Sequence, residues 1–303
     1  MQWQLMGLQH HDPSGELRLV VGLHGPQDVS TLVCLMEALR CGGELAAYAV
    51  DMVQLTDQMA AAIVKSRGFD GVTVVDEEVS EMRKLIGEVL DAYQAECGGP
   101  GGVRVRQLLA LSSFPDMHND ICICAEDAMA ALVLLPFHKA QRVDGSMDAG
   151  HFGFRLVNQK VLQLAPCSVG VVVDRGLGKQ EEQAVVVVFI GGADDREALT
   201  LAALMYRHPG VRLTALRVVQ NATAQARARA RTSLFETKAS RRGGAAAAAA
   251  SALGQEEAQM QVDDKFFAEF YRKHVAGGGR GMGFLEKHVA DGAELVAVLR
   301  GLQ

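Results

Sequence analysis

Residues 17–26 read LRLVVGLHGP and residues 184–192 read AVVVVFIGG. Each is an apolar, β-branched run that stops at a glycine turn, and each is followed by a helical pattern. After the first, Asp28 or Ser30 can cap a helix in which Val29, Leu32, Val33, Leu35, Met36 and Leu39 recur at i, i+3, i+4 spacing. Strand-like runs return at 45–53, 103–111, 131–136 and 168–173, with helical patterns at 78–96, 117–129 and 153–165. Strands that read as solid apolar runs, alternating with helices, are buried on both faces by crossovers. The expected fold is therefore α/β, a doubly wound parallel sheet of Rossmann-like type over residues 16–176.

The pattern then restarts. Setting Gly192 on Gly25 gives an offset of 167, and the second strands fall within a residue or two of it. Two tandem units follow: 16–176 after a flexible segment 1–15, and 184–303 after a linker 177–183. The second unit is expected to be interrupted and C-terminally incomplete. Residues 222–262 are poor in apolar bulk, with Arg227, Arg229, Arg231, Lys238, Arg241 and Arg242 ahead of six alanines. They read as a disordered low-complexity insertion, the alternative being a partly helical Ala-rich patch. Helical order is expected again from 263. Carrying the offset through Asp174 places the end of a full repeat roughly 40 residues past Gln303, so the fourth and fifth strands of the second copy are missing. That leaves an open edge on its first strand.

Composition narrows the function. The 303 residues carry 30 Lys+Arg against 36 Asp+Glu, a net charge of −6, which argues against nucleic acid as a partner. The longest apolar runs, 128–137 and 184–193, fall short of the roughly 18–20 residues that cross a bilayer. This stretch cannot by itself conduct an ion. The cysteines, including the pair Cys122 and Cys124, lack zinc-site spacing and read as reduced and largely buried.

Doubly wound sheets bind ligands outside the carboxyl ends of their strands, where the winding reverses. Here that crevice lies between the first and fourth strands. It should expose His24 and Gly25 on one side and Pro136, His138 and Lys139 on the other. Ser112, Ser113 and His118 should sit nearby, with Asp144 and Gly145 in the loop after the fourth strand. The functional reading is recognition of a nucleotide or anion, with Lys139 and His138 facing phosphate. The plain alternative is that these residues cap helices and close turns. Nucleotide binding is the weaker reading, because Gly145, Gly150 and Gly153 are separated by Met147, Asp148 and His151, and Asp144 and Asp148 would oppose phosphate. No nucleophile–base–orienter set stands out, so no catalytic residue is assigned. Asp116, Asp120, Glu126 and Asp127 suit a helix dipole better than a metal, and no metal site or cofactor is assigned.

A set of short motifs carries a resemblance. ELR at 16–18, HGP at 24–26, SSxxxMHxDIC at 112–122, AED at 125–127 and PFHK at 136–139 belong to it. DG at 144–145, FRLVNQ at 154–159, APCSVGVVVDRG at 165–176 and GGxDDREAL at 191–199 complete it. Together they resemble the cytosolic C-terminal region of the plant cation/proton exchangers, built of universal-stress-protein-like units. The resemblance implies a regulatory region of a monovalent cation/proton antiporter, concerned with potassium or sodium and pH homeostasis. It implies a transmembrane antiporter domain as partner, in cis or in trans, and a place on the cytosolic face of an endomembrane or the plasma membrane. A second copy of the chain and a small-molecule ligand are further expected partners. His24, His118 and His138 are the expected pH-sensing residues, since histidine titrates near neutral pH. The competing readings are a stand-alone nucleotide-binding universal-stress-type protein and a non-functional truncated product.

Overall fold

The computed structural model describes residues 7–12, 15–40, 43–57, 59–60, 77–98, 102–142, 144–175, 183–220, 245–276 and 282–302, the side chains of 220 and 245–257 excepted. The chain divides into two compact units, Met1–Glu181 and Glu182–Gln303.

In the first unit, β1 (Leu17–Leu23), α1 (Val29–Leu39), β2 (Leu45–Gln54), α2 (Glu77–Cys97) and β3 (Val103–Ser112) form one half. The second half is α3 (Met117–Asp127), β4 (Leu132–Pro136), α4 (Phe152–Leu164) and β5 (Ser168–Val172). The strands are all parallel in the order β3-β2-β1-β4-β5, as the alternating pattern predicts. The winding reverses between β1 and β4, which pair through Leu19–Val21 and Leu132–Leu134.

Alternation along the central strands divides the side chains between two layers. Val20, Val133 and Leu135 join Met117 and Ile121 of α3 and Val157 and Val161 of α4 in one core. Each such side chain, fully buried, contributes about 1.5–3 kcal/mol of transfer free energy. On α2, Ile86, Leu90 and Tyr93 recur at i, i+4, i+7 and are its buried face. The same helix reaches a polar group inside. Arg83 Nε donates to Asp51 Oδ2 at 2.9 Å, and Gln107 Nε2 donates to the same oxygen at 2.9 Å. The Asp51 side chain is fully buried, and burial raises its pKa.

The second unit contains β6 (Gln183–Phe189), α5 (Ala193–Met205), β7 (Val211–Gln220), α6 (Ala245–Phe270), β8 (Gly283–Val289) and α7 (Gly292–Arg300). A π-helical turn, Tyr271–Val275, closes α6. Its described sheet is parallel, in the order β6-β7-β8. α5 and α6 cover one face with Leu199, Ala202, Phe267 and Phe270, and α7 covers part of the other with Leu295 and Val298.

Two expectations are corrected. Residues 245–262 of the expected disordered insertion are helical, because the alanine run propagates a helix that Phe267 and Phe270 anchor in the core. Residues 222–244, with the arginines, lie outside the described residues, as does the linker 177–182. The segment 1–15 is not wholly flexible: Leu8–His10 form a 3-10 turn that buries Leu8. The strands repeat at 166, within a residue of the glycine offset of 167 as expected, since β1 begins at Leu17 and β6 at Gln183, and β2 begins at Leu45 and β7 at Val211. In the turn after the first strand of the second unit, Gly191 and Gly192 have φ of +138° and +106°.

Candidate functional site

The carboxyl ends of β1, β3 and β4 bring together three loops and the start of α4. Asn158 places that helix. Its Nδ2 donates to the Pro136 carbonyl at 2.8 Å and ties the second turn of α4 to the end of β4. His24, one residue past β1, then lies flat on Phe154, with ring centroids 3.7 Å apart and planes at 14°. Phe114, just after β3, meets Phe154 edge-on at 5.1 Å and His151 at 4.9 Å. His151 is the N-cap of α4, and its Nδ1 accepts from the Phe154 amide at 3.4 Å. The crevice is thus filled by four rings from three loops and a helix.

The glycines of the following loop have other work. Gly145 and Gly150 have φ of +81° and +78°, positions that turns reserve for glycine. A Cβ on Gly153 would lie 2.3 Å from the Phe114 ring, so that glycine makes room for an aromatic side chain.

The predicted site residues divide accordingly. His24, Pro136 and His138 meet at the crevice, and the charge of His138 is felt at His24. Burial, then the fields of His151 and His138, pull the His24 pKa down to about 4, and Nε2 has no partner. With that pKa His24 is neutral near pH 7, which does not suit the sensing role expected of it. His138 is also lowered, by burial and then by Arg155 and Lys139, against an opposing pull from Asp148. Lys139 lies alongside, its side chain packed over Gly150. Gly25 is extended, and its carbonyl accepts from the Asp28 amide at 3.2 Å.

The remaining candidates serve local structure. Ser112 Oγ donates to Asp120, and Ser113 Oγ donates to Asp116 at 2.6 Å, tying the β3–α3 loop to its helix. His118 is buried within α3 with Nδ1 unpartnered. Asp144 Oδ1 accepts from the Ser146 amide at 2.9 Å and its hydroxyl at 2.6 Å, bonds that lower its pKa, while Gly145 completes the same turn. No group of three potential metal ligands occurs among the described residues.

Residues that sequence reasoning passed over sit on the other side of β1. Asp28 Oδ2 accepts from the His24 amide at 2.7 Å, and Thr31 Oγ1 donates to Asp174 Oδ2 at 2.6 Å. Asp28 and Asp174 help to line a cavity of about 30 Å³ with Leu32, Leu134 and Val172. Burial and the Asp174 charge raise the Asp28 pKa against the hydrogen bonds from His24 and Gly25. In the sequence Asp28 read only as a possible helix cap. Phe114 carried no signal and Phe154 appeared only as the first residue of the FRLVNQ motif, since their meeting depends on tertiary packing.

Residues 47–177 match the family model for a plant cation/H(+) antiporter domain, and residues 182–303 match that for the plant cation/H(+) antiporter C-terminal domain. The chain is 42% identical to Cation/H(+) antiporter 28 of Arabidopsis thaliana over 98% of its own length and 37% of that protein's. It is 32% identical to Cation/H(+) antiporter 15 of the same plant, over 97% of its length and 35% of that relative's. The chain therefore spans little more than a third of these relatives. Among solved structures it is similar to a universal stress protein from Archaeoglobus fulgidus (12% identity, TM-score 0.43, 98% of this chain and 83% of that one). It is also similar to the cytoplasmic domain of a prokaryotic cation chloride cotransporter (9% identity, TM-score 0.47, 91% and 79%). No described helix is long and apolar enough to cross a membrane.

Proposed function

Because the chain belongs to the plant cation/H(+) antiporter family, over the region its two domain models cover, we propose that it is the regulatory region of a monovalent cation/proton antiporter. It works in potassium or sodium and pH homeostasis, at the cytosolic face of the membrane that holds the transporter. Its partner is a transmembrane antiporter domain, in cis or in trans. The observation that carries this reading is the 42% identity to Cation/H(+) antiporter 28 along almost the whole chain. The chain does no chemistry itself; it biases the transport domain by binding it more tightly in one of two states.

The test is reconstitution of the transmembrane portion of that relative in vesicles, with and without the 303-residue chain. The readout is cation-dependent collapse of an imposed pH gradient. A change of roughly fivefold or more, the lower end of usual coupling between sites, supports the reading. A chain that neither binds the transport domain nor alters exchange refutes it. The nucleotide-binding reading finds no support at the crevice, where rings and turn glycines occupy what a phosphate would need.

A further inference from the structure

We propose that Asp51 is a proton-binding site through which acid tightens the seating of α2 on the sheet of the first unit. Between Glu77 and Leu85 no side chain of α2 is buried, and Ile86, Leu90 and Tyr93 hold only its later turns. The first turns are anchored by Arg83, which reaches the fully buried Asp51 side chain from a partly exposed position. Gln107 of β3 completes the joint. Its Nε2 donates to Asp51 Oδ2 and, at 3.0 Å, to the Arg83 carbonyl. A Cβ on Gly87 would lie 3.0 Å from Gln107 Oε1, so the helix backbone comes close to the same side chain. Both donors serve one oxygen of Asp51. The other, Oδ1, is buried and accepts no hydrogen bond among the described residues. Arg83 is the one charge felt at Asp51 among those residues, and Gln107 is neutral. Ionised, Asp51 keeps an oxygen that neither water nor a donor satisfies, which is costly in an interior. A proton on Oδ1 removes that cost and leaves Oδ2 to its two donors. With α2 lifted away, water reaches the carboxylate, so the proton binds more tightly when the helix is seated. Burial outweighs the pull of Arg83 and raises the pKa of the seated form. Seating is then strongest below the ordinary aspartate value, and the gain is lost as pH climbs through the raised one. His24, in the same unit, has the opposite sign.

The inference concerns α2 of the first unit alone, so it and the antiporter reading can fail separately. The test uses the full chain and its Asp51→Asn variant between about pH 7.5 and 4. The Asp51 carboxyl carbon is followed by NMR, and the Ile86 and Leu90 amides by hydrogen exchange corrected for its own pH dependence. The carboxyl should titrate above the ordinary value of 3.8. Protection of the two amides should rise as it takes up the proton, by up to about tenfold per pH unit. In Asp51→Asn that part of the rise should be absent, whereas a merely structural anchor would leave the same slope. Arg83→Met should move the carboxyl midpoint higher still, because the cation holds it down. A wild-type midpoint no higher than 3.8, or a slope that Asp51→Asn does not change, would overturn the proposal. If Asp51→Asn does not fold, the wild type decides the matter. Protection that stays level across the Asp51 titration refutes the coupling.

Discussion

Asp28 and Asp195, 167 positions apart, hold the same turn in the two units. Asp28 Oδ2 accepts from the His24 amide at 2.7 Å, and Asp195 Oδ2 accepts from the Ile190 and Gly191 amides at 2.7 and 2.8 Å. In each case a carboxylate at the start of a helix reaches back to the amides that leave the first strand. Those amides have no ladder partner once the strand ends, so the acid supplies one. The first turn goes further and aims His24 at Phe154.

His24 makes the first unit less stable in acid. A histidine whose folded pKa lies near 4, against 6.5 unfolded, binds more protons in the unfolded chain between those values. Stability should therefore fall as pH drops from 6.5 to 4, by about 3 kcal/mol at most. His24→Phe keeps the stack and removes the titration. Denaturant melts of both proteins at intervals across that window should diverge, the variant showing the flatter profile; parallel profiles would contradict the burial.

Gly153→Ala should destabilise by about 1–3 kcal/mol, because the new Cβ would push the Phe114 ring out of its packing against the core. Combining it with Phe114→Ala should cost less than the two single changes together. Thermal melts of all four forms close the cycle, and strict additivity would show that the two residues do not touch in solution.

Removing Arg83 isolates a buried carboxylate. Arg83→Met should cost about 3 kcal/mol, since the Asp51 side chain has no access to water. Asp51→Asn together with Arg83→Met should recover part of the loss. A single change that leaves the melting temperature untouched would place the pair at the surface.

In the second unit, Asp263 joins α6 to the Gly191–Gly192 turn. Its Oδ2 accepts from the Gly192 amide at 2.9 Å, and Arg196 donates to its other oxygen. Asp263→Ala should expose that turn, and faster hydrogen exchange at Gly192 is the expected signature. Gly192→Ala tests the backbone by itself, because a Cβ there meets nothing while φ is +106°. About 1 kcal/mol of strain is expected from melts.

Much of the fold was legible because strand burial leaves a direct mark on composition. Val20, Val21, Leu132 and Val133 lie in the middle of a two-faced sheet, and they appear as unbroken apolar runs. The 45–54 strand and the helix at 77–97 were visible for similar reasons. The alanine run misled, because low apolar content resembles disorder until Phe267 and Phe270 are seen to anchor the end of the same helix. The site was legible only as a location. His24, Pro136 and His138 were placed by topology, while the filling of the crevice was not.

The sequence by itself determined the parallel, doubly wound sheet, its restart after β5, the reversal between β1 and β4, and the family motifs. All of these depend on periodicity and local spacing, which a linear chain carries directly. Only the tertiary structure decided that His24 is stacked and neutral, and that Gly153 accommodates a ring. It also showed that Asp28 and Asp195 are equivalent despite a strand offset of 166. The stacking rests on contacts such as His24 with Phe154, 130 positions apart, and Phe114 with Phe154, 40 apart, whose distances and burial arise only when crossovers bring separate loops to one end of a sheet.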